Sequence, residues 1–403
     1  MTLRTSSARS ADPRGPRHRT GSAPRRRSGT VAVASALGLA LAVASAPFSA
    51  VAQPAAPGSH KPCIVVGEVG VDAEFTERFG TYGDTAGRWT GADSAYSVEL
   101  PGGRTAWIYS DTFLGEVNET HGRPLDSPFI HNSIIVDDGE SLTTYTGGTE
   151  AAPESLVTVA GGDESQNWYW FGDATVHGDE LQVSLLEFEK TGTGVFDFAF
   201  AGTAVATFDV TTLALEAVDE VATTNIHWGS AIYEHPSDGY TYVYGVEDLQ
   251  AQKFAHLARV DGGDLASGAW EYLGDAGWST DPASSKRLLE GVSNEFSVQR
   301  HQGGYALVTG DATEALSASI VMYRSTSLEG PFTNKTELYR TPETGGNVFT
   351  YNAKAHPQLG NGHTLFITYN VNSFDTNDLY LEVDTYRPRY IEADVKVRNG
   401  HCG

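Results

Sequence analysis

What this chain lacks narrows its function before any motif is considered. Cysteine occurs twice, at Cys63 and Cys402, which leaves no cysteine cluster for zinc. Beyond residue 52 no apolar run is long enough to span a bilayer. Lys and Arg are outnumbered, 27 against 51 Asp and Glu. There is no convincing nucleophile elbow, no phosphate-binding glycine loop and no HExxH helix. Helical periodicity is almost absent as well.

The first 52 residues stand apart from the rest. Arg4 to Arg27 hold eight arginines and one acid, Asp12; an apolar run, Val31–Ala46, and the small residues Ala50-Val51-Ala52 follow. This is the pattern of a secretory signal peptide cleaved before Gln53. The general secretory route is favoured, because the residues after Arg25-Arg26-Arg27 match twin-arginine export poorly. Residues 53–62 read as a flexible N-terminal segment, and 63–403 as one domain, exported and monomeric. Without the leader, 19 basic residues face 50 acidic ones, a net charge of −31. That argues against nucleic acid or an anionic membrane as partner. In an exported protein Cys63 and Cys402 would pair as a disulfide, tying the two ends of the domain together.

What remains is rich in β signals. Short aromatic and β-branched runs alternate with turns such as Pro101-Gly102-Gly103, Asp138-Gly139, Asp238-Gly239, Gly303-Gly304 and Asn361-Gly362. Five segments share a loose plan, beginning near Asp93, Asp173, His227, Glu295 and His356. Each has a short strand beside a polar residue, a turn, an aromatic strand ending in an acid or amide, and one or two further strands. The fold class is therefore all-β, and a five-bladed β-propeller fits better than an irregular sandwich or jelly roll. Cys63–Val71 would supply the missing strand of the last blade.

The first hairpin, within Gly91–Gly115, carries one acid at the far end of each arm. Asp93 and Asp111 are equidistant from residue 102, inside the turn, so folding there makes them cross-strand neighbours. Opposed Cβ atoms in such a pair lie roughly 4.5–5.5 Å apart, and two carboxyls that close cannot both ionise freely. A slip of one residue would put them on opposite faces.

Asp93, Asp173, His227, Glu295 and His356 would ring the channel, with Glu247 among the acids on adjoining strands. Beside them lie Trp89, Trp228, Tyr351, Asn132 and Asn352. Flat apolar faces mixed with amides and carboxylates suit sugars, whose C–H faces stack and whose hydroxyls need fixed partners. Mid-strand Trp107, Tyr109 and Tyr369 read as packing between blades. No cofactor is expected; a channel Ca²⁺ held by Asp, Asn and His is chemically open but has no loop signature.

Several stretches also resemble a known group. Trp-Thr-Gly-Ala-Asp93-Ser, Ser-Asp111-Thr-Phe-Leu-Gly, Asn132-Ser-Ile-Ile-Val, Ser-Leu-Glu-Gly-Pro331-Phe and Tyr-Asn352-Ala-Lys-Ala-His356-Pro resemble exported actinobacterial proteins of domain-of-unknown-function groups that include endo-D-arabinanases. The resemblance covers most of residues 64–395. It implies a five-bladed glycosidase of a furanoside-containing, arabinan- or arabinogalactan-like polysaccharide, with Asp93 and Asp111 as the catalytic pair. Asp93 would be nucleophile or base and Asp111 the acid/base, with Glu247 or Glu295 as alternative acid. Five-bladed arabinanases and invertases would instead point to Asp93, Asp173 and Glu247. His227, His356 and Asn352 would bind hydroxyls. The competing reading is a glycan-binding propeller of the cell envelope without catalysis.

Overall fold

The β-branched and aromatic runs fold as antiparallel strands, grouped into five large sheets in chain order. The computed structural model describes residues 63–221 and 224–398. The expected signal peptide, the 53–62 segment and Cys402 lie outside them, and with Cys402 the expected disulfide. The five leading strands are β1 (Tyr96–Leu100), β2 (Asn167–His177), β3 (Ile226–Glu234), β4 (Phe296–His301) and β5 (Val348–Ala355). Each opens a sheet of four or more strands, and successive strands pair with their sequence neighbours. The fifth sheet differs at its outer edge. There Cys63–Val71 pairs with Pro388–Arg398, from Cys63 opposite Arg398 to Val71 opposite Ile391. The N-terminal strand thus completes the C-terminal sheet, as the sequence suggested.

The core lies between sheets. Ile108, Ile134 and Leu100 of the first meet Phe171, Leu185 and Phe208 of the second. Val205 of the second meets Val243 and Val260 of the third. Tyr244 and Leu257 of the third meet Phe296 and Leu307 of the fourth, and Val308 and Met322 of the fourth meet Ile367 and Ile391 of the fifth. Trp107, Tyr109 and Ile135 of the first meet Phe366 and Tyr390 of the fifth. Apolar surface on both faces of every sheet is removed from water by a neighbour, which is how propeller-like folds are stabilised. Trp107, Tyr109 and Tyr369 are all buried, in keeping with their reading as packing residues.

One element was not anticipated. Ala73–Thr85 is a 13-residue helix, α1, whose N-cap Asp72 accepts a hydrogen bond from the Phe75 amide at 2.8 Å. Phe75 and Phe79, one turn apart, press against Trp107 and Tyr390. Gly80, Gly83 and three threonines weaken the helical signal in this stretch. Its apolar face, not its propensity, holds it. Among the described residues no helix is long and apolar enough to cross a membrane.

Candidate active site

The first hairpin has the register that the symmetric placement of its acids implied. Tyr96 faces Ile108 and Leu100 faces Arg104 around the Pro101–Gly103 turn. Continuing that count places Asp93 opposite Asp111. The Asp93 amide donates to the Asp111 carbonyl at 3.1 Å, and the Ser110 amide to the Asp93 carbonyl at 3.2 Å. Between them Ser94 and Ala95 adopt φ of 67° and 58°, so the arm kinks. Trp89–Ala92 and Thr112–Leu114 accordingly pair in a separate small sheet. Gly91 makes room beside the kink: a Cβ there would lie 2.2 Å from the Tyr386 carbonyl and 2.3 Å from Arg123 Nη2. Arg123 also donates to the Thr90 carbonyl at 2.8 Å and to the Val383 carbonyl at 3.0 Å, binding the Tyr386 segment to this strand.

Asp93 Oδ2 accepts two phenols, Tyr351 at 2.7 Å and Tyr386 at 2.9 Å. Its Oδ1 is buried and has no hydrogen-bond partner among the described residues. Burial, then the charges of Asp111 and Glu295, hold the Asp93 carboxyl well above the ordinary aspartate range, against the two phenols. Asp111 is held differently. Its Oδ1 accepts the Trp170 indole N–H at 2.7 Å and meets His131 Nδ1 at 2.8 Å. Burial disfavours a charged His131, but the hydrogen bond and charge of Asp111 prevail and raise its pKa. This favours the cationic form of His131 beside Asp111, and its ring stacks on Trp168 at 4.8 Å.

A third carboxyl faces the same place. Glu295 immediately precedes β4 and accepts Ser94 Oγ at 2.7 Å and Asn352 Nδ2 at 2.9 Å on Oε1. Its Oε2 lies 2.6 Å from Lys354 Nζ. Lys354 is almost wholly buried, donates to the backbone carbonyls of Asn352 and Ser94, and sits 4.3 Å over the Tyr96 ring. Burial lowers its pKa, and Glu295, Asp173 and Asp93 in turn oppose that shift. The arrangement can therefore hold one carboxyl protonated beside others that are paired with cations, which is the division that acid/base chemistry requires.

Asp173 sits at the β2 bulge and accepts the amides of Ala174 at 2.9 Å and Ile232 at 2.7 Å. Burial raises its pKa to about 7 in spite of those bonds and of Lys354. The folded value lies above the ~3.9 of an unfolded chain, so the folded state holds the extra proton between the two. Stability should fall as pH rises from about 4 to about 7. Asp173→Asn should flatten that part of a plot of Tm against pH; an unchanged slope would rule out this titration.

The other expected site residues are elsewhere or otherwise employed. Asn352 and Tyr351 join the acids, on Glu295 and Asp93 respectively. Glu247 does not: it pairs with Arg287 at 2.6 Å and with His256 at 3.5 Å, which lowers its pKa. His227 is buried 4.1 Å from the Phe200 ring, and burial drives its pKa to about 4. His356 bonds Ser97 at 2.5 Å and Thr368 at 2.8 Å, and it lines a 310 Å³ cavity with Glu99, Asp173 and Glu234. The match in the fifth unit was displaced: Tyr351 and Asn352, not His356, hold the level of Asp93 and Glu295. Asn132 spends its amide on the Val157 and Tyr169 carbonyls and the Val157 amide. Trp89 and Trp228 are fully buried and offer no face to a sugar. Trp89→Ala should cost about 3–5 kcal/mol of stability and leave KM unchanged in the folded fraction; a KM effect alone would restore it to the site.

Four residues of the site were not foreseen. Tyr386 and His131 carry no motif, and Ser94 ends the Trp-Thr-Gly-Ala-Asp93-Ser stretch, where only the acid drew notice. Lys354 stood inside the Tyr-Asn352-Ala-Lys-Ala-His356-Pro stretch, where a lysine between two alanines of a core strand was the available signal.

Comparison with known proteins gives the fold a context. A family model described as a domain of unknown function (DUF5005) matches residues 76–395. No curated protein matches the sequence. A Bacteroides ovatus ATCC 8483 protein with the provisional name of hydrolase is similar at TM-score 0.68 and 21% identity, over 86% of this chain and 97% of its own. Weaker likenesses, both at TM-score 0.46, are to two sugar-bound enzymes. One is an exo-β-1,3-galactanase from Phanerochaete chrysosporium with β-1,3-galactotriose, at 13% identity over 77% of this chain and 61% of that one. The other is a GH43_1 enzyme from Xanthomonas citri with xylotriose, at 14% identity over 75% and 86%. At these identities the likenesses concern the fold.

Proposed function

We propose that this chain, which belongs to the DUF5005 family, is a glycoside hydrolase whose five large sheets are the five blades of a propeller. The observation that carries this reading is the convergence of Asp93, Asp111 and Glu295 beside Tyr351 and Tyr386, where burial and the two neighbouring carboxylates push the Asp93 carboxyl toward its protonated form. Asp93 is the general acid that protonates the departing glycosidic oxygen. Asp111, oriented by His131 and Trp170, acts on the sugar carbon, as nucleophile or through a water. Glu295, 2.6 Å from Lys354 Nζ, is one of the neighbours that help keep the Asp93 proton in place. This exchanges the roles first expected for Asp93 and Asp111, because burial and the charges of Asp111 and Glu295 raise the pKa of the former against its two phenols, while His131 bonds the latter.

The substrate we propose is a furanoside-containing polysaccharide of the arabinan or arabinogalactan kind, met outside the cell by an exported monomer. Incubation with arabinan, arabinogalactan and fructan, followed by product analysis, tests the assignment. Release of oligosaccharides or sugar from one of them is the expected result. Saturable binding without any product over a long incubation would replace it with the glycan-binding reading. The anomeric form of the first product separates the two mechanisms: carboxyls roughly 5–5.5 Å apart give retention and roughly 6.5–9.5 Å give inversion. The cross-strand placement of Asp93 and Asp111 favours retention.

A further inference from the structure

Tyr351 does more than hold Asp93. Its ring begins a line of aromatic rings that leaves the acids and ends in solvent. Phe349 lies 5.5 Å from Tyr351, Phe374 lies 4.6 Å from Phe349, and Phe196 lies 6.3 Å from Phe374. The first two rings are half-buried; Phe374 and Phe196 are 51% and 58% exposed. A single exposed phenylalanine needs no explanation. Here two, from parts of the chain far apart in sequence, extend one row that starts on the proposed acid.

The backbone under the row is fixed. Phe349 sits in β5 opposite Asn372. The Phe374 amide donates to the Asn347 carbonyl at 3.0 Å. The Phe196 loop, between the second and third strands of the second sheet, is closed by Gly194 N–H on Asp197 Oδ2 at 2.7 Å and Thr191 N–H on the Asp197 carbonyl at 2.9 Å. Phenyl rings have no polar atom, so they recognise an apolar face. A sugar ring offers one on its C–H side while its hydroxyls point outward to water and to amides such as Asn372, which already donates to Tyr351 Oη at 3.3 Å. Each ring-to-ring step is comparable to one sugar ring. The row is also continuous with the catalytic acid, as a path for a chain must be and a protein-docking patch need not be.

We propose that Phe349, Phe374 and Phe196 form a ladder of subsites for the glycan beyond the bond being cleaved, so that the protein takes a polymer in preference to a disaccharide. The ladder rests on the hydrolase reading for its direction but not for its binding. Affinity electrophoresis in soluble arabinan, arabinogalactan and fructan tests it, with Asp93→Asn as the parent so that no probe is consumed. At least one polysaccharide should retard the parent, and adding Phe196→Ala and Phe374→Ala should weaken that binding about tenfold. Disaccharides of the same polymer should compete poorly. Both rings are more than half exposed, so these changes leave the core packed, which a thermal melt verifies. Equal retardation of parent and triple variant overturns the ladder, as does retardation of the parent by none of the three. The hydrolase reading fails separately. Ladder-dependent binding with no product from the wild type removes the enzyme and keeps the ladder; product release undiminished in Phe196→Ala/Phe374→Ala does the reverse.

Discussion

Asp93→Asn should lower turnover of the polysaccharide by about 10²–10⁴-fold, the usual weight of a positioned general acid, with the fold intact. The amide keeps an oxygen for Tyr351 and Tyr386, and it removes a carboxyl whose ionisation burial, Asp111 and Glu295 all oppose. The loss should depend on the leaving group. An aryl glycoside, whose phenolate departs without a proton, should lose far less than the natural glycan. The pH profile gives an independent reading. Asp93 works in its protonated form, so wild-type activity falls as pH rises through its elevated pKa, and Asp93→Asn should lack that alkaline limb. Were Asp93 the nucleophile or base, activity would instead fall as pH drops through its pKa, and an aryl leaving group would rescue nothing. Undiminished turnover of the glycan in Asp93→Asn would falsify any catalytic role for this residue.

Much of that hairpin was legible because a β-ladder obeys simple counting. One turn with the right residues sets the register, and the register sets which acids face each other, here from Leu100–Arg104 back to Asp93–Asp111. The closing strand Cys63–Val71 was legible for a similar reason, since an unpaired β-rich run at one terminus needs an edge to join. Counting failed where strands bulge. Register shifts at Phe171/Ala174, Trp228/Ala231 and Tyr351/Lys354 move the following residues by one or two positions, and the first-level residues of the fifth unit are Tyr351 and Asn352 where His356 was expected. Burial could not be read from residue type either. Trp89, Trp228 and Asn132 look like sugar-binding residues in a string of letters, but two close the core and the third ties loops together. The helix α1 was missed because the contacts that stabilise it, Phe75 and Phe79 on Trp107 and Tyr390, lie in three separate parts of the chain.

The buried lysine, also unforeseen, should give one of the largest stability effects in the protein. Lys354→Met keeps the apolar stem but leaves Glu295 without its cation, and the carbonyls of Ser94 and Asn352 without a donor. Removing one partner of a buried ion pair costs about 3–5 kcal/mol, because the other charge stays behind. Denaturant unfolding should show that loss as a lower midpoint at unchanged slope. Lys354→Met combined with Glu295→Gln should recover a large part of it, since the neutral amide keeps an oxygen that can accept from Ser94 and Asn352. A single substitution costing less than about 1 kcal/mol, in the range of exposed pairs, or a double variant no better than the single one, would mean the pair is not what holds this part of the site. Glu295→Gln alone also probes catalysis. It removes one of the charges that raise the Asp93 pKa and leaves the Lys354 cation in place, so the alkaline limb of its pH profile should move to lower pH. Stability recovered and the limb displaced together would assign Glu295 and Lys354 a single role: a buried charge, tolerated by the fold, that keeps the proton on Asp93.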